Sequence, residues 1–196
     1  MDRRHLLAGI ASVGTLGVAG AVASGGLPAP IGGSSTTTTD PGQSPSTDSD
    51  ERSGPVEPVT LDTIPAPGSR DGAVTIPAVD RPTFVDFFGT WCPPCIEQMP
   101  ALGEANDRVG DRVTFVSVTT EAVGRSVTEA EVAEWWREHD GDWLVAADPT
   151  VALFSRLGAS SFPTAVVLDA SGRIRWSEAG VHSAETLVGQ IEAALP

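Results

Sequence analysis

A six-residue apolar run, Thr83 to Phe88 (TFVDFF), leads through Gly89-Thr90-Trp91 directly into Cys92-Pro93-Pro94-Cys95. The run is bounded by Pro82 and Gly89 and is too short for a helix, so it reads as a buried strand. Two consecutive prolines are tolerated in the first turn of a helix, where the missing N–H groups would have had no partner. The stretch therefore dictates a strand, a tight turn and a helix starting at about Cys92. Two cysteines three residues apart then share one face of that helix.

The rest of the chain alternates in the same way. Strands are expected near Val59 to Leu61, at Ala73 to Ile76, in DRVTFVSVTT, in WLVAAD, in TAVVLD and in RIRWSE. Between them, SVTEAEVAEWWREHDG reads as a helix, with Ser126 and Glu129 as its capping box and Gly141 as its end. One of Trp135 and Trp136 is expected in the core and the other partly exposed, because helix neighbours point about 100° apart. A short helix near Thr150 to Leu157 and a last helix from Ser183 to Leu195 complete the order, with a turn at Ser171-Gly172. Strand and helix alternation ending in a hairpin and a helix implies an α/β sandwich, a central mixed sheet with helices on both faces.

Cys92 and Cys95 are the only cysteines in the 196 residues. At a helix N-terminus, unpaired N–H groups and the macrodipole stabilise a thiolate and lower its pKa. Cys92 is expected to be exposed and Cys95 recessed, so that Cys92 attacks a partner disulfide and Cys95 releases the mixed intermediate. Structural zinc needs more ligands than His5, His139 and His182 offer, and none lies in ligand spacing. A structural staple is a poor alternative, because closing so short a loop removes little chain entropy. No metal, and no cofactor beyond the redox-active pair, is expected.

The N-terminal region has a different character. Arg3 and Arg4 precede an apolar run from Leu6 to Ala23, and residues 1–23 read as a cleaved signal or an uncut membrane anchor. The arginine pair before His5-Leu6-Leu7 resembles a twin-arginine signal, with Asp2 where the consensus has serine or threonine. Residues 24–58, rich in Gly, Ser, Thr and Pro, read as a disordered linker with a reach of roughly 30–35 Å. Residues 59–196 form the folded domain. Twelve arginines, no lysine and 26 acidic residues give a net charge of −14, which disfavours nucleic acid as a partner. The same balance keeps proteins of salt-loving organisms soluble, so a halophilic, haloarchaeal source is expected over an acidic protein of a GC-rich mesophile.

The stretch DFFGTWCPPC followed by EQMP resembles the thioredoxin superfamily, most closely its exported TlpA/ResA-like branch, over about Val59 to Leu195. SSFPTAVVLD is similar to the family's cis-proline segment, which implies a cis bond at Pro163 beside the disulfide. The resemblance implies a thioredoxin fold, a three-layer α/β/α sandwich. It implies an extracytoplasmic thiol–disulfide oxidoreductase, a monomer, acting on protein thiols or disulfides. A link to cytochrome c maturation and a membrane electron donor are implied too. Cys92 and Cys95 carry the exchange, and Trp91, Pro93, Pro94, Phe162 and Pro163 contact substrate.

Two positions mix family patterns. ResA-like proteins carry a glutamate three residues after the second cysteine, where this chain has Gln98. Asp86 instead matches the buried aspartate of thioredoxin, and burial beneath the disulfide raises its pKa so that it can accept the Cys95 proton near neutral pH. Glu97 reads as a solvated helix residue, Met99 as core, and Pro100 as a bend in the helix. The alternative function is a copper metallochaperone, with Met99 or His182 joining the two thiolates.

Overall fold

The computed structural model describes residues 54–196. The segment read as a signal or anchor (1–23) and most of that read as a linker lie outside the described residues. Residues 55–58, assigned to the linker from sequence, lie against the domain: Val56 N donates to Gly172 O at 2.8 Å, and Arg156 donates to the carbonyls of Glu57 and Pro58. Among the described residues no helix is long and apolar enough to cross a membrane.

The elements are β1 Val59–Thr63, β2 Gly72–Ile76, β3 Thr83–Phe88, α1 Pro93–Val109, β4 Thr114–Thr119, α2 Glu129–Glu138, β5 Leu144–Ala147, α3 Ala152–Arg156, β6 Thr164–Leu168, β7 Ile174–Ala179 and α4 Ala184–Glu192. They form one mixed sheet in the order β2-β1-β5-β4-β3-β6-β7. β3, β4 and β5 run parallel, while β6 and β1 flank them antiparallel. Two right-handed crossovers that step the same way along the sheet put their helices on the same face. α1 and α2 accordingly share one face with α4, over Phe84, Phe88, Phe115 and Val145. α3 covers the other face, where Leu153 and Leu157 pack on Val85, Phe87, Val116 and Val118. Helices on both faces leave every residue of β3 buried, which is why TFVDFF is a nearly continuous apolar run.

The structure differs from expectation around α2. Its capping box is Thr128 with Glu131, not Ser126 with Glu129. The preceding loop consumes Ser126, whose N–H and hydroxyl both donate to Ala122 O. Hydrogen bonds from the Thr128 N–H and hydroxyl hold the Glu131 carboxyl below its ordinary pKa. Trp135 and Trp136 are both buried rather than divided between core and surface. Trp135 stacks on Phe88 at 5.0 Å, and Trp136 reaches Trp143 at 4.7 Å, so the two rings diverge by filling different parts of one aromatic core. α1 continues through Pro100 as helix.

Candidate active site

The Gly89-Thr90-Trp91 turn carries the chain from β3 into α1. Gly89 lets the Trp91 ring lie close over the turn: a Cβ there would sit 2.9 Å from the indole and push that exposed ring aside. Thr90 is tied down by Glu121, whose carboxylate accepts from the Thr90 N–H and hydroxyl at 2.8 Å each and from the Thr119 hydroxyl at 3.0 Å. Sequence reasoning missed Glu121, since its distance of 31 residues from Thr90 leaves no local signal.

Cys92 is the N-cap of α1, followed by Pro93 and Pro94 at its first two positions. Cys92 and Cys95 form a disulfide with Cα atoms 5.3 Å apart. Cys95 N donates to Cys92 Sγ at 3.3 Å, so the helix N-terminus already points a donor at the sulfur that becomes the thiolate. Cys92 is only 3% exposed, against the expectation of an exposed first cysteine. In the disulfide its sulfur folds back over the helix start instead of projecting outward. The surface around it is supplied by Trp91, which is 65% exposed, and by exposed Pro93, Pro94 and Ile96.

The Phe162–Pro163 bond is cis, as is Ile76–Pro77, which no motif flagged. Phe162 meets Trp91 edge-on at 5.7 Å and stacks on Phe154 at 5.1 Å. This contact joins the turn before α1 to the segment before β6, two stretches far apart along the chain.

Asp86 lies on β3 between Phe84 and Phe88, on the face that α1 covers. It is 2% exposed. Its Oδ2 accepts from the Ser117 hydroxyl at 3.2 Å, and its Oδ1 has no hydrogen-bond partner among the described residues. Burial disfavours the charged form and raises its pKa from 3.8 to about 7, a shift the Ser117 hydroxyl partly opposes.

Gln98, expected only as a missing acid, has a structural part. It is buried, its Nε2 donates to His182 O at 3.0 Å, and its Oε1 accepts from His182 N at 2.6 Å. This two-point clamp joins α1 to the loop that enters α4. Met99 is core, Glu97 is exposed, and the His182 ring packs against Trp176 at 5.1 Å. Gln98→Glu is expected to be tolerated at low pH, where a protonated carboxyl can still donate to His182 O. As pH rises, the ionised group turns an acceptor toward an acceptor, at a cost of about 1–3 kcal/mol or more. The new carboxyl therefore has a raised pKa in the fold, and its stabilising contact is present at low pH and lost as pH climbs through that value. Denaturant midpoints of the variant across pH 4 to 8 check this.

Residues 70–195 match the family model described as Redoxin. The thiol-disulfide oxidoreductase ResA of a Bacillus cereus strain is 26% identical over 113 residues, which cover 58% of this chain and 63% of that protein. The matched region thus spans less than two thirds of that relative's length. The crystal structure of StoA from Bacillus subtilis superposes with a TM-score of 0.58 at 21% identity, over 69% of this chain and 96% of that one. A thiol:disulfide interchange protein of the thioredoxin family from Chlorobium tepidum TLS gives a TM-score of 0.59 at 21% identity, over 74% and 98%. These structural likenesses show a common fold. With the family model matched across nearly the whole described domain, the chain belongs to the Redoxin family, and within it the chain is similar to the thiol-disulfide oxidoreductase ResA.

Proposed function

We propose that this chain is an extracytoplasmic thiol–disulfide oxidoreductase that exchanges disulfides with protein substrates through Cys92 and Cys95. The observation that carries the reading is the disulfide at the N-cap of α1, on the sheet face that also holds the buried carboxyl of Asp86. In the reducing direction the Cys92 thiolate attacks a substrate disulfide, forming a mixed disulfide and releasing one substrate thiolate, which takes up a proton. Cys95 then loses its proton to Asp86. Its sulfur bonds to Cys92, and the Cys92–substrate bond breaks to release the second substrate thiolate, which takes that proton from Asp86 or water. Two electrons pass from the dithiol to the substrate, and the reverse sequence oxidises a substrate dithiol.

Trp91 and Phe162 form the rim where substrate lies, with exposed Pro93 and Pro94 just after Trp91 in the chain and Pro163, itself buried, just after Phe162. Proline at 163 has no N–H to compete with a substrate strand pairing along that edge. The substrate class implied by the family resemblance is a protein cysteine pair such as that of an apocytochrome c. As a reductant outside the cytoplasm the protein draws its electrons from a membrane thiol donor, close to which residues 1–23, where they stay uncut as an anchor, hold it. The copper-carrier reading has less support, because Met99 packs in the core and the His182 Nε2 lies 3.4 Å from the Glu178 carbonyl.

The midpoint potential of the pair, measured in high salt, gives the direction of exchange. A value near about −270 mV assigns a reductant and one near about −120 mV an oxidant. Cys95→Ser is expected to accumulate a mixed disulfide with the substrate protein, identified by mass spectrometry. A pair that neither reacts with dithiols nor captures protein in this variant overturns the reading.

A further inference from the structure

Asp86 is the fourth residue of β3 and Ser117 the fourth of β4, and the parallel register sets them side by side. The Ser117 hydroxyl donates to Asp86 Oδ2 at 3.2 Å, and Trp143, just before β5, donates its Nε1–H to Ser117 Oγ at 2.9 Å. All three residues are buried. An indole nitrogen only donates, so the polarity of this chain is set from its far end. With Trp143 on one lone pair of Ser117, the serine proton is directed at the carboxylate.

We propose that Trp143 and Ser117 are positioning residues for the proton transfer, engaging Oδ2 of Asp86 and leaving Oδ1 as the oxygen that receives the Cys95 proton. This rests on the reading of Asp86 as the proton acceptor of the exchange. In the step the Cys95 S–H bond breaks and its proton bonds to Oδ1. The electron pair left on sulfur forms the Cys95–Cys92 bond while the Cys92–substrate bond breaks. Ser117 continues to donate to Oδ2, so the acceptor oxygen is selected before the proton moves.

The elements packed around Asp86 bring few competing charges. From the start of α1 the buried titratable groups are Cys92 and Cys95 themselves, whereas its Glu97, Glu104, Asp107 and Arg108 are exposed. On this face β4, β5 and β6 present only hydroxyl or apolar side chains, and α4 presents apolar ones. Glu121 is bound to Thr90 and Thr119 beyond the end of β4, and Asp148 caps α3 on the opposite face. His139 lies against the Trp135 ring and His182 against that of Trp176. Ser117 is thus the one polar group that offsets the effect of burial on Asp86.

The test is an NMR titration of the Asp86 carboxyl carbon in the whole protein, with exchange rates read across the same pH range. Ser117→Ala is expected to raise the Asp86 pKa by about one unit, the worth of a hydrogen bond to a charged group. Trp143→Phe is expected to raise it by less, and to add nothing in the Ser117→Ala background, because Trp143 acts through Ser117. The rate profile moves to higher pH by the same amounts. An unmoved carboxyl in Ser117→Ala, or a Trp143→Phe effect that persists without Ser117, overturns the relay. A carboxyl that shifts while the rate profile stays in place refutes Asp86 as the acceptor, and with it the assigned transfer step.

Discussion

Asp86→Asn is expected to slow thiol–disulfide exchange at pH 8 by about 10²-fold or more, the usual contribution of a positioned general base. Asparagine keeps an oxygen for the Ser117 hydroxyl and nearly the same volume, so the loss falls on proton transfer and not on packing. The midpoint potential is expected to move little, because the disulfide and its helix N-terminus are untouched. Stopped-flow reduction of a protein disulfide, run beside redox equilibration, separates the two effects, and unaltered rates would sink the assignment.

The same substitution carries a stability signature. The carboxyl has a folded pKa of about 7 against 3.8 when unperturbed, so between those values the folded state binds more protons than the unfolded one. The native state therefore loses stability as pH rises from about 4 through about 7, by roughly 4 kcal/mol in full. Asp86→Asn does not titrate, so this part of the decline disappears. Denaturant midpoints of the oxidised protein and the variant at pH 4 and pH 8 measure it, and equal slopes in the two proteins would show that the carboxyl is not buried in solution.

Trp136→Ala is expected to cost about 4 kcal/mol, within the range for emptying a large aromatic site. The ring is fully buried, donates its Nε1–H to Pro67 O at 3.1 Å and packs 5.7 Å from Phe88 and 4.7 Å from Trp143. Gly141 closes on it so tightly that a Cβ there would lie 2.3 Å from the indole, so removing the ring takes away the surface on which this loop packs. Trp91→Ala is the control, since its ring is mostly exposed and surface truncations usually stay within about 0.5 kcal/mol. Thermal or chemical denaturation ranks the two. Comparable losses would mean that Trp136 is not the keystone of this aromatic cluster.

Much of the fold was legible because its signals are local. TFVDFF is β3 over the expected residues, and the proline pair starts α1 as the missing N–H groups require. Both the hairpin at Ser171-Gly172 and the last helix lie where turn and periodicity signals put them. The α2 cap was displaced by two residues because two overlapping Ser/Thr-x-x-Glu patterns exist, and only the preceding loop decides between them. The burial of both Trp135 and Trp136 was not legible. A helix pattern tells which way a side chain leaves its own axis, whereas Phe88, Trp143 and Pro67 come from other elements.

At the candidate site the sequence by itself determined the cysteine spacing, their place at a helix start and an acidic residue in the preceding strand. Each of these follows from neighbours within a few residues. Only the tertiary structure decided what those groups touch. Ser117 reaches Asp86 across 31 residues, Trp143 reaches Ser117 across 26, and His182 meets Gln98 across 84. Strand register and helix packing set such contacts, and both are fixed by the burial of whole faces rather than by any local run of residues. That is why Gln98 reads in the sequence as a lost acid and in the fold as a clamp, and why the fold adds to Asp86 a directed hydrogen-bond chain.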